Sequence, residues 1–327
     1  MHAEAGNEIG FHTKEERIRR RQKGNQMRLL FIRHAEPDYS IDSLTEKGHR
    51  EAALLAKAAP SLGIDHCFVS PLGRAQVTAD YCLKAMGKTA QTMEWLEEFE
   101  GPVDLNQSPE LACAYPGVHP EDPAEILRGG HRLPASISYA GGLPSGLDKN
   151  GQENRLHHKS DIQKVYRLRR PWDIGQRYYA AHPELADPVR WRESEIYLHS
   201  EMPRRYDEVA AAFNDLLASC GYKYENGIYR VERENRETLA FFCHFGITCV
   251  LLSVLWNMSP FFLWQNLVML PSTVTELISE EREQGWALFR AQRIGDQSHL
   301  FAGGERPSFA ARYCEVYSDF SEETGRH

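Results

Sequence analysis

The feature that most constrains this chain is the stretch Leu29-Leu30-Phe31-Ile32-Arg33-His34-Ala35-Glu36-Pro37, an apolar run ending abruptly in a guanidinium and an imidazole. It reads as a buried strand that delivers two reactive groups to its carboxyl end. In open α/β sheets ligands bind at those ends, so the Arg-His pair stands where a site would be; the alternative is an ion pair capping a strand. Two further stretches repeat the pattern. Phe68-Val69-Ser70-Pro71-Leu72-Gly73-Arg74 runs from a strand to an arginine, and Leu239-Ala240-Phe241-Phe242-Cys243-His244-Phe245-Gly246 ends in a histidine and a glycine. Two arginines and two histidines, each just past a strand, make a cradle for a phosphoryl group.

The segments between these strands carry helical signals. Thr45 is placed as an N-cap, with Ala52, Leu55, Ala56 and Ala59 on one face of a helix ending near Pro60. Ser70-Pro71 reads as a cap followed by a first-turn proline, and Ala75, Ala79, Cys82 and Met86 as the buried face of the next helix. A strand at Gln91 to Met93 leads into Glu94-Trp95-Leu96-Glu97-Glu98-Phe99-Glu100-Gly101, where four carboxylates crowd against apolar residues. Helical period returns over Pro203 to Cys220. Asn226-Gly227 centres a hairpin over Tyr222 to Val231, and Glu237 to Cys243 is the strand that delivers His244. A helix from Gly246, strands near Thr273 to Ile278 and Trp286 to Arg293, and a helical segment over Pro307 to Tyr317 complete the reading.

The four motif positions, in this order, resemble the histidine phosphatase superfamily, the group that includes cofactor-dependent phosphoglycerate mutases and many phosphatases with an Arg-His-Gly signature. The resemblance runs from Met27 to about Pro102 and from about Pro203 to Thr275. It carries Arg33 and His34 onto the signature pair, Arg74 onto the second arginine and His244 onto the second histidine. Ala35 stands where the signature has glycine, and Asp38, Tyr39 and Ser40 where several mutases carry an asparagine. The resemblance implies a three-layer α/β/α sandwich with a mostly parallel central sheet, and a proton donor two positions after a leucine. That selects Glu98, with Glu97 as the fallback. Arg33, Arg74 and Phe245, the neighbour of His244, are assigned to substrate binding.

The chemistry of these residue types agrees with phosphoryl transfer. A histidine nucleophile must be neutral with one ring nitrogen free, so its other nitrogen should donate to a fixed acceptor such as a backbone carbonyl. Arginines beside it match phosphate oxygens with planar donors and disfavour its protonation. His244 would donate to a third oxygen, next to a helix start. With two arginines and two histidines compensating charge, no metal or other cofactor is expected. His157-His158 is not a metal site, because adjacent side chains diverge and no further ligand sits at the right spacing.

Composition narrows the partners. A formal net charge of -8 over 327 residues argues against nucleic acid and for a local positive site taking a small phosphorylated substrate. Seven scattered cysteines without a Cys-x-x-Cys pair suggest a reducing cytoplasm, and the longest apolar run, around Cys249 to Trp256, is too short to span a membrane. Residues 1 to 26, with Arg17, Arg19, Arg20, Arg21 and Lys23, are read as a disordered or non-native extension, and residues 27 to 327 as one domain. Within it, residues 102 to 202 form a cap-like insertion bearing Arg167, Arg169, Arg170, Trp172, Arg177, Tyr178, Tyr179, Trp191 and Arg192. These would select the leaving group; the alternatives are a satellite core with a solvated face, or a homodimer surface. The resulting expectation is a metal-independent phosphomonoester hydrolase working through phosphohistidine. A phosphoglycerate-type mutase and a non-catalytic phospholigand sensor are the rivals.

Overall fold

The computed structural model describes residues 26–115 and 168–308. The expectations for the N-terminal extension, the middle of the insertion with His157-His158 and Arg167, and most of the segment after Pro307 lie outside the described residues.

Eight strands form one sheet: β1 (Arg28–Arg33), β2 (His66–Val69), β3 (Ala90–Thr92), β4 (Tyr222–Glu225), β5 (Ile228–Val231), β6 (Thr238–Cys243), β7 (Val274–Glu283) and β8 (Trp286–Asp296). Their order is β3-β2-β6-β1-β7-β8-β5-β4. The pairings among β3, β2, β6 and β1 are parallel, whereas β7 runs antiparallel to β1 and the remaining pairings follow suit. The mixed character has a local cause. Tight turns join β4 to β5 and β7 to β8, and a tight turn pairs strands only antiparallel. At the first of these Asn226 and Gly227 take φ of 50° and 95°, as a primed hairpin turn requires.

The period of two along β1 builds the layers. Leu29 and Phe31 face a core shared with α3 (Met202–Ser219) and α4 (Phe245–Trp256), while Leu30 and Ile32 face α1 (Glu46–Ala58) and α2 (Gly73–Met86). Phe31, Phe241 and Phe68, one from each of three adjacent strands, stack with centroids 5.3 and 5.2 Å apart. Such ring pairs add about 0.5–1.5 kcal/mol each beyond the area they bury. The apolar run around Cys249 proves to be α4, buried on every face from Phe245 to Leu255. No helix among the described residues is long and apolar enough to cross a membrane.

Thr45 caps α1, accepting from the Gly48 amide at 3.0 Å. The expected cap at Ser70-Pro71 is not observed. Helix α2 begins only at Gly73, its N-cap is Leu72, and that residue supplies no side-chain bond. A proline at 71 suits a first helical turn, but the Ser70 hydroxyl is drawn instead to a partner on another strand. The described parts of the insertion pack on the α3/α4 side, where Trp172, Leu185, Trp191, Ile196 and Tyr197 join the core. Short α5 (Pro260–Asn266), which periodicity did not reveal, supplies Phe261 and Trp264 to the same layer.

Candidate active site

Register brings the functional ends together. Arg33 pairs with Cys243 and Phe242 with Val69, so His34, His244 and Ser70 emerge at one level from β1, β6 and β2. The exit is fastened by backbone bonds: His34 N–H donates to Cys243 O at 3.0 Å, and Ser70 N–H to Phe242 O at 2.9 Å. Arg33, His34, Ser70, Arg74, Glu98 and His244 are all buried, an arrangement that is costly unless each polar group has a partner or awaits one.

His34 Nδ1 donates to the carbonyl of Ala35 at 2.8 Å, which leaves the Nε2 lone pair free. The imidazole is held well below its ordinary 6.5, first by burial, then by the charges of Arg74 and Arg33, against the opposing pull of the Ala35 carbonyl. It is therefore neutral. Its own carbonyl accepts from Ser272 N–H at 2.9 Å, where the chain turns through φ +64°.

The His244 ring lies 5.0 Å from that of His34. Its Nε2 meets Ser70 Oγ at 2.7 Å, and the same oxygen accepts from Leu72 N–H at 3.2 Å. The Ser70 hydroxyl can donate to or accept from His244 Nε2, and the tautomer in which it donates carries the imidazole proton on Nδ1. That Nδ1 is buried and has no hydrogen-bond partner among the described residues. Burial lowers the His244 pKa well below 6.5, with Arg74, His34, Arg33 and Arg170 adding to the effect.

Arg33 is anchored by Nη1 to Met269 O at 2.5 Å, and its guanidinium lies 5.8 Å from the ring of Phe245. Phe245 is itself buried, so its position relative to the cradle is set through Arg33 and through the start of α4. Arg74 donates from Nη1 to Asp42 Oδ1 at 2.6 Å, while its Nε is buried without a hydrogen-bond partner among the described residues.

The two adjacent glutamates part company. Glu98 Oε1 accepts from Phe99 N–H at 2.9 Å and from Ile247 N–H at 3.0 Å, in the first turn of α4. Glu97 is half exposed, 3.6 Å from Arg205; burial raises its pKa first, the Arg205 charge opposes this, and Glu100 and Glu94 reinforce it. The charge of Arg74 also reaches Glu97.

Among the insertion residues, Arg170 and Trp172 lie against the site. Arg170 donates to Glu100 at 2.8 Å and sits 5.3 Å from the Trp172 ring, which, like Glu98 Oε1, lies against Gly246. Trp191 belongs to the core and meets Tyr206 edge-on, with the exposed Arg192 guanidinium over both rings. Tyr178 stacks on His182 with centroids 4.0 Å apart. Sequence reasoning missed two participants, Ser70 and Asp42. Ser70 could have been read from its place one residue past β2, in step with His244; nothing local marks Asp42.

Residues 29–118 match the model of the histidine phosphatase superfamily (branch 1). The matched segment holds Arg33, His34, Arg74, Glu97 and Glu98, and His244 lies beyond it. Over 70 residues the chain is 34% identical to a probable phosphoglycerate mutase of Cronobacter sakazakii, a match covering 19% of this chain and 33% of that protein. The chain thus spans about a third of the length of the curated relative. Among solved structures, it is similar to a phosphoserine phosphatase from Entamoeba histolytica in complex with 3-phosphoglyceric acid (14% identity, 84% of this chain, 99% of that one, TM-score 0.45). It is also similar to a mycobacterial glucosyl-3-phosphoglycerate phosphatase with inorganic phosphate (16% identity, 83% of this chain, 98% of that one, TM-score 0.44).

Proposed function

We propose that this protein is a histidine phosphatase superfamily member that hydrolyses a small phosphomonoester through a phosphohistidine at His34. One observation carries the reading. The Nε2 lone pair of a neutral His34 is free, its ring lies 5.0 Å from that of His244, and Arg74 Nε and His244 Nδ1, both buried, lack hydrogen-bond partners among the described residues. A dianionic phosphoryl group supplies the acceptors they need.

In the proposed sequence the His34 Nε2 lone pair attacks phosphorus and the ester P–O bond breaks. Glu98 gives its proton to the departing alkoxide. Water then attacks the phosphohistidine, its proton passes to Glu98, and the P–N bond breaks to return neutral His34. Arg33, Arg74 and His244 hold the phosphoryl oxygens throughout, so positioning and charge stabilisation do most of the catalysis. Glu98 is suited to the acid role because two amides fix Oε1 and leave Oε2 without a hydrogen bond among the described residues.

Release of phosphate from an aryl phosphate, in excess chelator, tests this reading. Turnover should persist in the parent, vanish in His34→Ala and fall far more in Glu98→Ala than in Glu97→Ala. Turnover that survives His34→Ala would defeat the phosphohistidine step. A mutase, the activity named for the curated relative, would transfer the group to a second hydroxyl and leave little free phosphate.

A further inference from the structure

We propose that Asp42 is a positioning residue that determines which edge of the Arg74 guanidinium meets the phosphoryl group; this rests on the phosphate-site reading above. Asp42 belongs to the loop after β1, yet its carboxylate is built into the start of α2. Oδ2 accepts from Gly73 N–H at 2.6 Å and Oδ1 from Arg74 Nη1 at 2.6 Å. Since Leu72 gives α2 no side-chain cap, Asp42 caps the helix from a distant part of the chain.

The close approach is costly and specific. Asp42 adopts φ +45°, a conformation in which side chains other than glycine are strained. Gly73 is the residue that admits it, because a Cβ there would come 2.2 Å from the Asp42 carbonyl oxygen. Tyr39, from the same loop, lies with its ring 5.3 Å from the Arg74 guanidinium.

The consequence for chemistry follows from the shape of guanidinium, a planar group with two forked donor edges besides its end. With Nη1 committed to Asp42, the edge left for a bidentate oxyanion is Nε with Nη2, and Nε is the buried atom without a partner among the described residues. Without Asp42 the plane can turn about its own axis and present the fork differently. A carboxylate that served only as a helix cap would influence stability, with no dependence on Arg74.

The experiment is a double-mutant cycle on Asp42→Ala and Arg74→Ala, read as orthovanadate affinity by calorimetry and as kcat/KM on an aryl phosphate, with thermal melting of each variant. Asp42→Ala should weaken vanadate about tenfold or more, as expected for a lost hydrogen bond to a charged group. In the Arg74→Ala background the same change should matter by less than about twofold, because its effect passes through Arg74. Equal losses in both backgrounds, or a loss within twofold in the parent, would overturn the proposal. Should Asp42→Ala fail to fold, Asp42→Asn enters the same cycle, retaining an acceptor for Arg74 while opposing an N–H to that of Gly73. A parent protein that binds neither vanadate nor phosphate overturns the phosphate site and this proposal together; binding without coupling overturns the role of Asp42 alone.

Discussion

Replacing Gly246 by alanine sets local propensity against packing. Alanine exceeds glycine by about 1 kcal/mol in a helix interior, so on a free face of α4 the change would stabilise. A Cβ at this position, however, would lie 2.3 and 2.6 Å from ring carbons of Trp172 and 2.8 Å from Glu98 Oε1. The ring has nowhere to retreat. Trp172 is 6% exposed and packs edge-on against Trp264 at 5.5 Å, whose Nε1 donates to the Gly246 carbonyl at 3.1 Å. Overpacking of this kind costs about 1–3 kcal/mol. Pushing Glu98 away also strips its bond from Ile247 N–H, worth about 0.5–1.5 kcal/mol. The net expectation is a loss of roughly 0.5–3.5 kcal/mol in stability. Turnover should fall about tenfold or more, because the proposed acid is displaced. Urea unfolding and aryl phosphate kinetics read the two effects. Unchanged or raised stability with unchanged kcat would show that Trp172 and Glu98 do not bear on Gly246 as described.

Ser70→Ala should lower kcat/KM by about tenfold while leaving the fold intact, since in the proposed site the serine hydroxyl donates to Nε2 and keeps the His244 proton on Nδ1; a nitrogen-detected NMR spectrum should show the tautomer shift, and an unchanged tautomer would count against it. Because burial and then the arginines depress His34, the acid limb of kcat/KM should fall below pH 6.5 and move upward in Arg74→Ala. An acid limb at or above 6.5 in the parent would contradict a buried, neutral nucleophile. Glu51, whose carboxylate accepts from Glu36 N–H and the Ser308 hydroxyl, is pushed by burial from 4.5 up to about 7. A raised carboxyl binds its proton more tightly folded than unfolded, so its contribution is fully present below 4.5 and is lost as pH rises through 7. Glu51→Gln, able to accept from Glu36 and donate to Ser308, should abolish that slope and gain at most roughly 3 kcal/mol at pH 8 in urea unfolding.

Much of the frame was legible because it depends on short-range pattern. The buried strand β1, the Thr45 cap and the Asn226-Gly227 turn each follow from a few adjacent residues, and the structure has them where the pattern places them. Ser70 shows where such reasoning stops. A serine before a proline satisfies the local rule for a helix start, but a buried imidazole on the neighbouring strand is a stronger claim on its hydroxyl.

The sequence by itself determined that parallel strands would end in arginine and histidine, because hydrophobic runs and their terminating residues are properties of the chain. Only the tertiary structure decided the states of those groups. His244 Nε2 finds its partner in a serine 174 positions away, and Arg74 Nη1 in an aspartate 32 positions earlier. Proton placement and donor direction are set by whichever partner lies within about 3 Å, and sheet register and loop path choose that partner.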